Sequence, residues 1–168
     1  TPAEEMQSQD ILRNQFAVLN LIPRDEQVPT RVNIYEVRSP EKDKLDTLAR
    51  LLCQLGQGST IVFLNYRDGV ERTAGFLCQR GFTVSTFHGG LDQRQREAAL
   101  YRFSNGSANI LVSTDLASRG LDIPNIQHIV HYHLPENEDG YIHRVGRTAR
   151  AGREGTAMSF VTMSAVPK

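Results

Sequence analysis

The sequence is poor in residues that build covalent or metal-stabilised frameworks. It has only two cysteines, Cys53 and Cys78, and no tryptophan among its 168 residues. Two distant cysteines in apolar surroundings exclude a disulfide framework and a four-thiolate zinc site. We therefore expect two buried thiols in a reducing, cytoplasmic compartment. The sequence has neither the run of about 18 apolar residues that a membrane span requires nor a basic signal peptide, so no membrane contact is expected.

An excess of one charge sign is also lacking, because nineteen basic residues balance nineteen acidic ones. Bulk charge therefore makes no case for nucleic acid or a membrane as a partner. The basic residues are nevertheless unevenly chosen, since sixteen are arginines and three are lysines. A planar guanidinium suits bidentate recognition of phosphate, although genome composition explains this preference equally well. Residues 1–30 carry five acids and two bases, which marks them as a separate lead-in.

After residue 30 the sequence alternates between strand-like and helix-like segments. Short β-branched runs predict strands at residues 32–37, 60–64, 83–87, 109–112, 127–132 and 156–161. Helix-length patterns lie between them, at residues 40–55, 68–80, 92–103, 115–119 and 136–147. Such alternation is typical of a parallel sheet with helices on both faces. We therefore predict a doubly wound α/β fold in which all strands are parallel.

The residues that follow three of the predicted strands are candidates for ligand contact. In a doubly wound sheet, ligands bind beyond the carboxyl ends of the strands. These positions are residues 65–67 (Asn-Tyr-Arg), 88–90 (His-Gly-Gly) and 113–115 (Ser-Thr-Asp), and each leads into a predicted helix. Backbone N–H groups at three helix N-termini could converge there on an anion. This edge of the sheet is therefore predicted to bind phosphate.

A glycine pair, Gly89 and Gly90, opens the segment before the third predicted helix. Paired glycines let the backbone approach a ligand closely. Asp92, with a glutamine three positions later, predicts a capping box at the start of that helix. Two more polar residues share one helix face, namely Gln93 and Arg96. A capped surface helix with solvated charges explains the segment about equally well.

Residues 113–122 combine hydroxyl groups, a glycine and a carboxylate. Ser113 and Thr114 stand at a strand end, where a hydroxyl can contact phosphate. Gly120 lets the chain turn, so that the Asp122 carboxylate faces the same crevice. A carboxylate there would suit ribose hydroxyls, and its alternative role is a loop-stabilising cap.

Residues 141–153 contain four arginines and no acid. His143, Arg147 and Arg150 are spaced by four and three, so a continuous helix would align them in one stripe. A row of positive charges costs stability unless something anionic lies opposite. The phosphates of a nucleotide, or the acids of another domain, would serve. A basic helix end interacting with its own dipole explains Arg150 and Arg153 but does not explain the stripe.

Metal binding and self-sufficient triphosphate hydrolysis are both disfavoured. Of His128, His131 and His133, only the last two share a strand face, and no acid or cysteine joins them at metal-ligand spacing. None of the thirteen glycines is followed by lysine, so the sequence has no P-loop. The chain therefore lacks the lysine and magnesium ligands needed to hydrolyse a triphosphate alone.

Taken in order, these segments resemble the C-terminal RecA-like domain of DEAD-box ATP-dependent RNA helicases over about residues 30–165. Residues 60–65 are similar to the family's motif IV, and residues 88–96 to its next RNA-facing motif. Residues 113–122 and 143–150 resemble motifs V and VI, which are the specific ones. Thr1 resembles the end of the family's Ser-Ala-Thr motif. The resemblance thus implies that residues 1–30 connect a missing N-terminal RecA-like domain to the helicase C-terminal domain, residues 31–168.

The resemblance implies a division of labour around ATP. The missing N-terminal domain would supply the P-loop and hold Mg²⁺, while this domain closes over ATP and RNA. The implied ATP contacts are Gly120, Asp122, Arg147 and Arg150, of which Arg147 and Arg150 would be the catalytic arginine fingers. We therefore expect the full-length protein to be an ATP-dependent RNA helicase that separates strands locally, and this chain alone to be inactive.

The resemblance also implies contacts with RNA and with the N-terminal RecA-like domain. His143 and Arg144 would join the interdomain network. The backbone of single-stranded RNA would be held, without sequence readout, by Asn65, Gly89, Gly90, Gln93, Arg96 and Thr114. The sequence departs from the family at Tyr66, where threonine is more usual, and at Gly90, where aspartate is frequent. A DNA translocase domain and a stand-alone phosphate- or RNA-binding module are the alternatives.

Overall fold

A computed structural model describes residues 16–18, 32–115, 126–148 and 155–162 of the chain. In this part of the chain the strands are β1 (Phe16–Val18), β2 (Val32–Ser39), β3 (Thr60–Leu64), β4 (Val84–Phe87), β5 (Ile110–Thr114), β6 (His128–His131) and β7 (Gly155–Thr162). The α-helices are α1 (Lys44–Leu55), α2 (Arg67–Gln79), α3 (Gln93–Ser104) and α4 (Glu138–Val145). A 3₁₀ turn, Glu41–Asp43, leads into α1.

The described strands form one sheet in the order β1-β2-β7-β6-β3-β5-β4. Strands β2 to β7 pair with one another in parallel, as predicted. The chain places β4 and β5 on one side of β3, and β6 and β7 on the other. Such a reversal of strand order opens a crevice at the carboxyl ends of the strands flanking the switch. The topology therefore predicts a ligand crevice at the carboxyl end of β3.

Alternate residues of β3 face two separate apolar cores. Val62 and Leu64 belong to one core, which also holds buried side chains of α1 and α2. Ile61 and Phe63 belong to the other, which holds buried side chains of α3 and α4. Since each face of the sheet packs against its own pair of helices, the predicted doubly wound α/β architecture is confirmed. None of the described helices is both long and apolar enough to cross a membrane.

Two sequence-based expectations, on strand direction and on cysteine burial, differ from the structure. Strand β1 pairs antiparallel with β2, so the expectation that all strands are parallel is wrong for this edge strand, which lies within the range predicted as connector. Cys53 and Cys78 are exposed free thiols rather than buried ones. Each follows a buried leucine on its helix, Leu52 or Leu77, and a step of one residue turns the side chain about 100° away from the core.

Helix α4 is shorter than the range 136–147 predicted for it. Asn137 caps its start, because the side-chain oxygen accepts a hydrogen bond from the Gly140 N–H at 2.8 Å. The helix ends at Val145, and the Gly146 N–H then bonds to the Ile142 carbonyl at 2.8 Å. Arg147 consequently lies in the turn that follows, so the predicted helical stripe does not continue from His143 to Arg147; its third member, Arg150, lies outside the described residues.

Candidate functional site

An open cleft of about 1130 Å³ lies at the carboxyl ends of the strands. Its lining is drawn from the ends of β3 and β5, the start of α2, the turn after β4, α3, and α4 with the residues that flank it. The lining residues are Phe63, Asn65, Tyr66, Arg67, Asp68, Gly89, Arg96, Thr114, Asp115, Glu136, Asn137, Asp139, Gly140, His143, Arg144 and Arg147. Segments separated by up to about eighty positions therefore meet at the edge that the sequence indicated.

The strand register explains why these segments meet. Phe63 of β3 is aligned with Ser113 of β5 and with His131 of β6. Phe87 of β4 is aligned with the same Ser113. Residues that leave these strands in the carboxyl direction therefore emerge side by side. The cleft is a consequence of parallel pairing in this register.

Arg144 of α4 is the buried centre of a hydrogen-bond network beneath the cleft, and only 1% of its side chain is exposed. Its Nε and Nη2 donate to the two Asp115 carboxylate oxygens at 2.6 and 2.7 Å. Nη1 donates to the His133 carbonyl at 2.7 Å, and Nη2 also donates to Asn65 Oδ1 at 3.0 Å. The bidentate fork fixes the guanidinium geometry. Arg144, predicted for an interdomain network, thus has these partners within the domain.

Asn65 ties the end of β3 to the segment that follows β6. Its backbone N–H donates to His133 Nδ1 at 2.9 Å. Its side-chain Nδ2 donates to the Leu134 carbonyl at 3.1 Å, while Oδ1 accepts the hydrogen bond from Arg144 Nη2. The amide predicted to contact RNA therefore makes both of these side-chain hydrogen bonds inside the domain. The adjacent Tyr66 remains 68% exposed at the rim of the cleft.

His131 is a buried neutral imidazole next to Arg144. Burial, reinforced by the Arg144 cation, lowers the pKa of His131 from 6.5 to about 3. Its Nδ1 lies 3.2 Å from Arg144 Nη1 and accepts that N–H. The ring stacks on Tyr141, with centroids 5.1 Å apart. Burial and the neighbouring cations also lower the pKa of His133 to about 4.

The His131 pKa predicts that the domain loses stability as the pH falls from about 6.5 towards 3. The unfolded chain binds a proton near pH 6.5 while the folded ring stays neutral, so acid favours unfolding. Between pH 7 and pH 5 this single group is expected to remove about 2 kcal/mol of unfolding free energy. Urea unfolding at the two pH values measures the difference. His131→Asn, which keeps an acceptor for Arg144, should flatten the dependence by that amount; an unchanged slope would contradict the assignment.

The turn after β4 brings Gly89 beside Arg96 of α3. Arg96 Nη2 donates to the Gly89 carbonyl at 3.3 Å, and both residues line the cleft. Arg96 Nε is buried without a hydrogen-bond partner among the described residues. The predicted capping box is confirmed, since Asp92 accepts from the Gln95 N–H and Gln95 in turn accepts from the Asp92 N–H. Because Asp92 satisfies that amide, the N-terminus of α3 is less available to an anion than predicted.

Two residues of the predicted stripe, His143 and Arg147, line the α4 side of the cleft. His143 is exposed, and Arg147 is partly buried in the turn after α4. Thr114 and Gly89 also reach the cleft, whereas Gln93 is exposed and its side chain donates to Glu97 on the same helix at 3.1 Å. Gly120, Asp122 and Arg150 lie outside the described residues, so their predicted ATP contacts are not placed.

The cleft is lined by charged groups of both signs rather than by an excess of positive charge. In the described lining, four guanidinium groups face the same cavity as four carboxylates. One pair of these, Arg144 with Asp115, is joined by hydrogen bonds. An anion would therefore be held by particular arginines, not by a broad positive field. No group of three or more His, Cys, Asp or Glu side chains in the described part of the chain could hold a metal ion.

The role of Asp115 as the carboxylate partner of Arg144 was not predicted from the sequence. Asp115 was noted only as the last residue of the strand-end triplet 113–115. A signal was present, because Asp115 directly follows a buried strand and stands at the same sheet edge as the arginine-rich segment. Arg67 was also noted only as part of a strand-end triplet, although it lines the cleft.

The chain matches one protein-family model, described as the helicase conserved C-terminal domain, over residues 43–152. The match includes the strand ends and the arginine-rich segment that build the cleft. This chain belongs to the helicase C-terminal domain family. Its fold is that of the RecA-like C-terminal domains of DEAD-box proteins, as the resemblance implied.

Curated relatives of this helicase C-terminal domain are DEAD-box ATP-dependent RNA helicases. DEAD-box ATP-dependent RNA helicase 21 of Oryza sativa subsp. japonica is 42% identical over 127 residues, covering 76% of this chain and 17% of the relative. The ATP-dependent RNA helicase eIF4A of Schizosaccharomyces pombe is 41% identical over 128 residues, covering 76% of this chain and 33% of the relative. The chain thus spans a third or less of the length of these two relatives.

Solved structures agree with the family and the fold. The E. coli DEAD-box protein SrmB, bound to regulator of ribonuclease activity A, is 39% identical with a TM-score of 0.72, covering 76% of this chain and 75% of that one. S. cerevisiae Dbp5, bound to RNA and ADP BeF3, is 33% identical with a TM-score of 0.71, covering 82% and 36%. Both similarities extend over most of the helicase C-terminal domain.

Proposed function

We propose that this chain is the second RecA-like domain of an ATP-dependent DEAD-box RNA helicase. In the full-length protein it closes with an N-terminal RecA-like domain on ATP and single-stranded RNA, and it couples ATP hydrolysis to local duplex unwinding. The observation that carries the proposal is the single cleft onto which Gly89, Arg96, Thr114, His143 and Arg147 converge. The Dbp5 structure with RNA and ADP BeF3 supports both ligands by similarity.

The hydrogen-bond donors on the α4 side of the cleft suit the phosphates of ATP. Arg147 sits in a turn supported by backbone bonds, including its own N–H to the Arg144 carbonyl at 3.2 Å. The buried Arg144 network holds that turn from beneath. A guanidinium on such a rigid base can stabilise charge on a phosphoryl group at little reorganisation cost. We assign the finger role to Arg147 and Arg150, the ribose side to Gly120 and Asp122, and interdomain contact to His143.

The N-terminal domain is proposed to supply the P-loop and to hold Mg²⁺. The described residues of this chain offer no cluster of metal ligands. They therefore suit the part of the site that contacts phosphate and not the part that holds the metal. When bound, Mg²⁺ would neutralise charge on the phosphate oxygens. The chain by itself is proposed to be inactive as an ATP hydrolase, because it cannot hold the triphosphate and the metal together.

RNA fits the wall formed by the turn after β4 and by α3. Arg96 donates a hydrogen bond to the Gly89 carbonyl, while Thr114 places a hydroxyl at the end of β5. Groups of this kind bind phosphate and sugar, which positions the strand without reading its bases. We propose that Gly89, Gly90, Gln93, Arg96 and Thr114 contact the RNA backbone. Asn65, whose side chain is bonded to Leu134 and Arg144, would shape the wall.

The RNA contact is tested by substituting Arg96 or Thr114 in the full-length protein. Arg96→Ala and Thr114→Val should weaken single-stranded RNA binding by about tenfold, the value of a hydrogen bond to a charged group. The loss should be equal for oligonucleotides of different sequence, since backbone contacts carry no base information. Fluorescence anisotropy over a salt series measures affinity, and Arg96→Ala should lower the salt slope by about one phosphate.

Arg94→Ala is the matched control, because Arg94 is exposed on the same helix but does not line the cleft. It should leave RNA affinity near wild type. A loss confined to one RNA sequence would indicate base readout and contradict the proposal. Tighter binding and stronger ATPase stimulation with DNA than with RNA would favour a DNA translocase domain instead.

A cytoplasmic location is proposed for the protein. The two thiols, Cys53 and Cys78, are free and exposed. Exposed free thiols persist in reducing compartments, where glutathione and thioredoxin keep them reduced.

A further inference from the structure

A carboxylate on α2, Glu71, is joined to the turn after β4 through His88. Glu71 Oε2 lies 2.5 Å from His88 Nε2. The other ring nitrogen, His88 Nδ1, accepts the Gly90 N–H at 3.0 Å. A neutral imidazole has one N–H and one acceptor nitrogen. The proton is therefore on Nε2, which donates to Glu71, and the lone pair of Nδ1 faces the turn.

The His88 ring supports the backbone turn that forms one rim of the cleft. The Leu91 N–H bonds to the His88 carbonyl at 3.2 Å, which closes the turn. The ring also packs against the turn so closely that a Cβ at Gly90 would lie 3.1 Å from His88 Nδ1. The Gly89 carbonyl in turn accepts a hydrogen bond from Arg96 Nη2. A continuous path of contacts thus runs from Glu71 through His88 and the glycine pair to Arg96.

Glu71 itself contributes little to the packing of the domain. Its side chain is 56% exposed, whereas the His88 side chain is 8% exposed. An exposed carboxylate adds little to stability through its charge. Its hydrogen bond nevertheless selects which ring nitrogen of the buried histidine carries the proton. The effect of Glu71 is therefore expected on the orientation of the turn rather than on folding.

We propose that Glu71 is a positioning residue for RNA binding, which acts by fixing the His88 tautomer that holds the Gly89–Gly90 turn and Arg96 in place. With protonation on Nδ1 instead, two N–H groups, those of His88 and Gly90, would face each other. The turn would have to move, and the Gly89 carbonyl that receives Arg96 would move with it. This inference rests on the proposed RNA contact of Arg96 and names a residue outside the cleft lining on which that contact depends.

The test uses three variants of the full-length protein. Glu71→Ala removes the acceptor, and Glu71→Gln keeps a neutral acceptor for the Nε2 proton. Asp46→Ala removes a matched exposed carboxylate whose partner, Arg80, directly follows α2. Single-stranded RNA affinity should fall about three- to tenfold in Glu71→Ala, the effect of one hydrogen bond. It should stay within about twofold of wild type in Glu71→Gln and Asp46→Ala. ATP affinity should be unchanged in all three.

A spectroscopic readout separates positioning from general destabilisation. Nitrogen-15 NMR of the histidine side chains should show the Nε2–H tautomer for His88 in the wild type and in Glu71→Gln, and a mixed population in Glu71→Ala. The Gly90 amide resonance should shift in Glu71→Ala alone. The melting temperature should stay close to that of wild type in every variant.

The outcomes distinguish this inference from the proposed function. If Arg96→Ala weakens RNA binding but Glu71→Ala does not, the positioning role is wrong and the RNA contact stands. Failure of Glu71→Gln to restore affinity would equally overturn a tautomer-based role. If Arg96→Ala has no effect, the proposed RNA contact fails, and the role of Glu71 fails with it.

Discussion

Arg147→Ala in the full-length protein is expected to lower RNA-stimulated ATP turnover by roughly 10³- to 10⁵-fold, the range attributed to arginine fingers. Arg147 lines the cleft from the turn after α4. Its proposed role is to stabilise charge on the transferred phosphoryl group after the two domains close. Removal of a group that acts mainly in the transition state lowers turnover much more than ground-state binding. ATP affinity of the open protein should therefore change little.

The measurement is steady-state ATPase with saturating RNA, alongside direct nucleotide binding. Arg147→Lys should restore little activity, because lysine supplies charge without the planar fork. Arg102→Ala is the control, since Arg102 is an exposed arginine in the last turn of α3 and does not line the cleft. Near-normal turnover in Arg147→Ala would show that this arginine is structural and would transfer the finger role to Arg150 or remove it.

Asp115→Ala is expected to cost about 2 kcal/mol of unfolding free energy, less than breaking a fully buried ion pair, because Arg144 is buried but 42% of the Asp115 side chain is exposed. The substitution leaves the buried Arg144 guanidinium without the two carboxylate oxygens that it now contacts. The remaining hydrogen bonds of Arg144, to Asn65 and to the His133 carbonyl, limit the loss. Urea unfolding of the 168-residue chain, at a pH where His131 is neutral in both states, measures the difference.

The exposed pair of Asp46 and Arg80 provides the comparison. Its partners have about half of their side chains exposed, at 52% and 49%, so Asp46→Ala should cost less than about 1 kcal/mol. Asp115→Asn, which keeps one acceptor oxygen, should lie between the two. Equal small losses for Asp115→Ala and Asp46→Ala would contradict the claim that Arg144 organises the cleft.

Much of the architecture was predictable because it depends on local patterns. Strand β3 was predicted with its observed bounds, Thr60–Leu64, since five consecutive apolar or β-branched residues are followed by polar ones. Parallel pairing then places the carboxyl ends of β2 to β7 at one edge, so the position of the cleft followed from topology. The three-residue strand β1 was missed because so short a segment carries no period. The end of α4 at Val145 was not predicted, because the spacing of the arginines gives no signal for the turn that follows the helix.

The Arg144 network was not predictable from a single sequence. Its hydrogen-bond partners, Asn65, Asp115, His131 and the carbonyl of His133, are separated from Arg144 by up to 79 positions. No spacing rule links residues that meet only after three strands have paired. The burial of a charged side chain also runs against composition-based expectation, since arginine is rarely fully buried unless it is paired. The contact between Glu71 and His88 escaped prediction for the same reason.

The account depends centrally on the cleft at the carboxyl ends of β3, β4 and β5 being the surface that meets RNA and ATP. Hydrogen exchange of the full-length protein, with and without single-stranded RNA and a non-hydrolysable ATP analogue, tests this most directly. The account predicts new protection at residues 65–68, 88–96, 113–115 and 143–148, and none in α1, which does not line the cleft. Unchanged exchange in those four segments, with protection elsewhere on the domain, would contradict it.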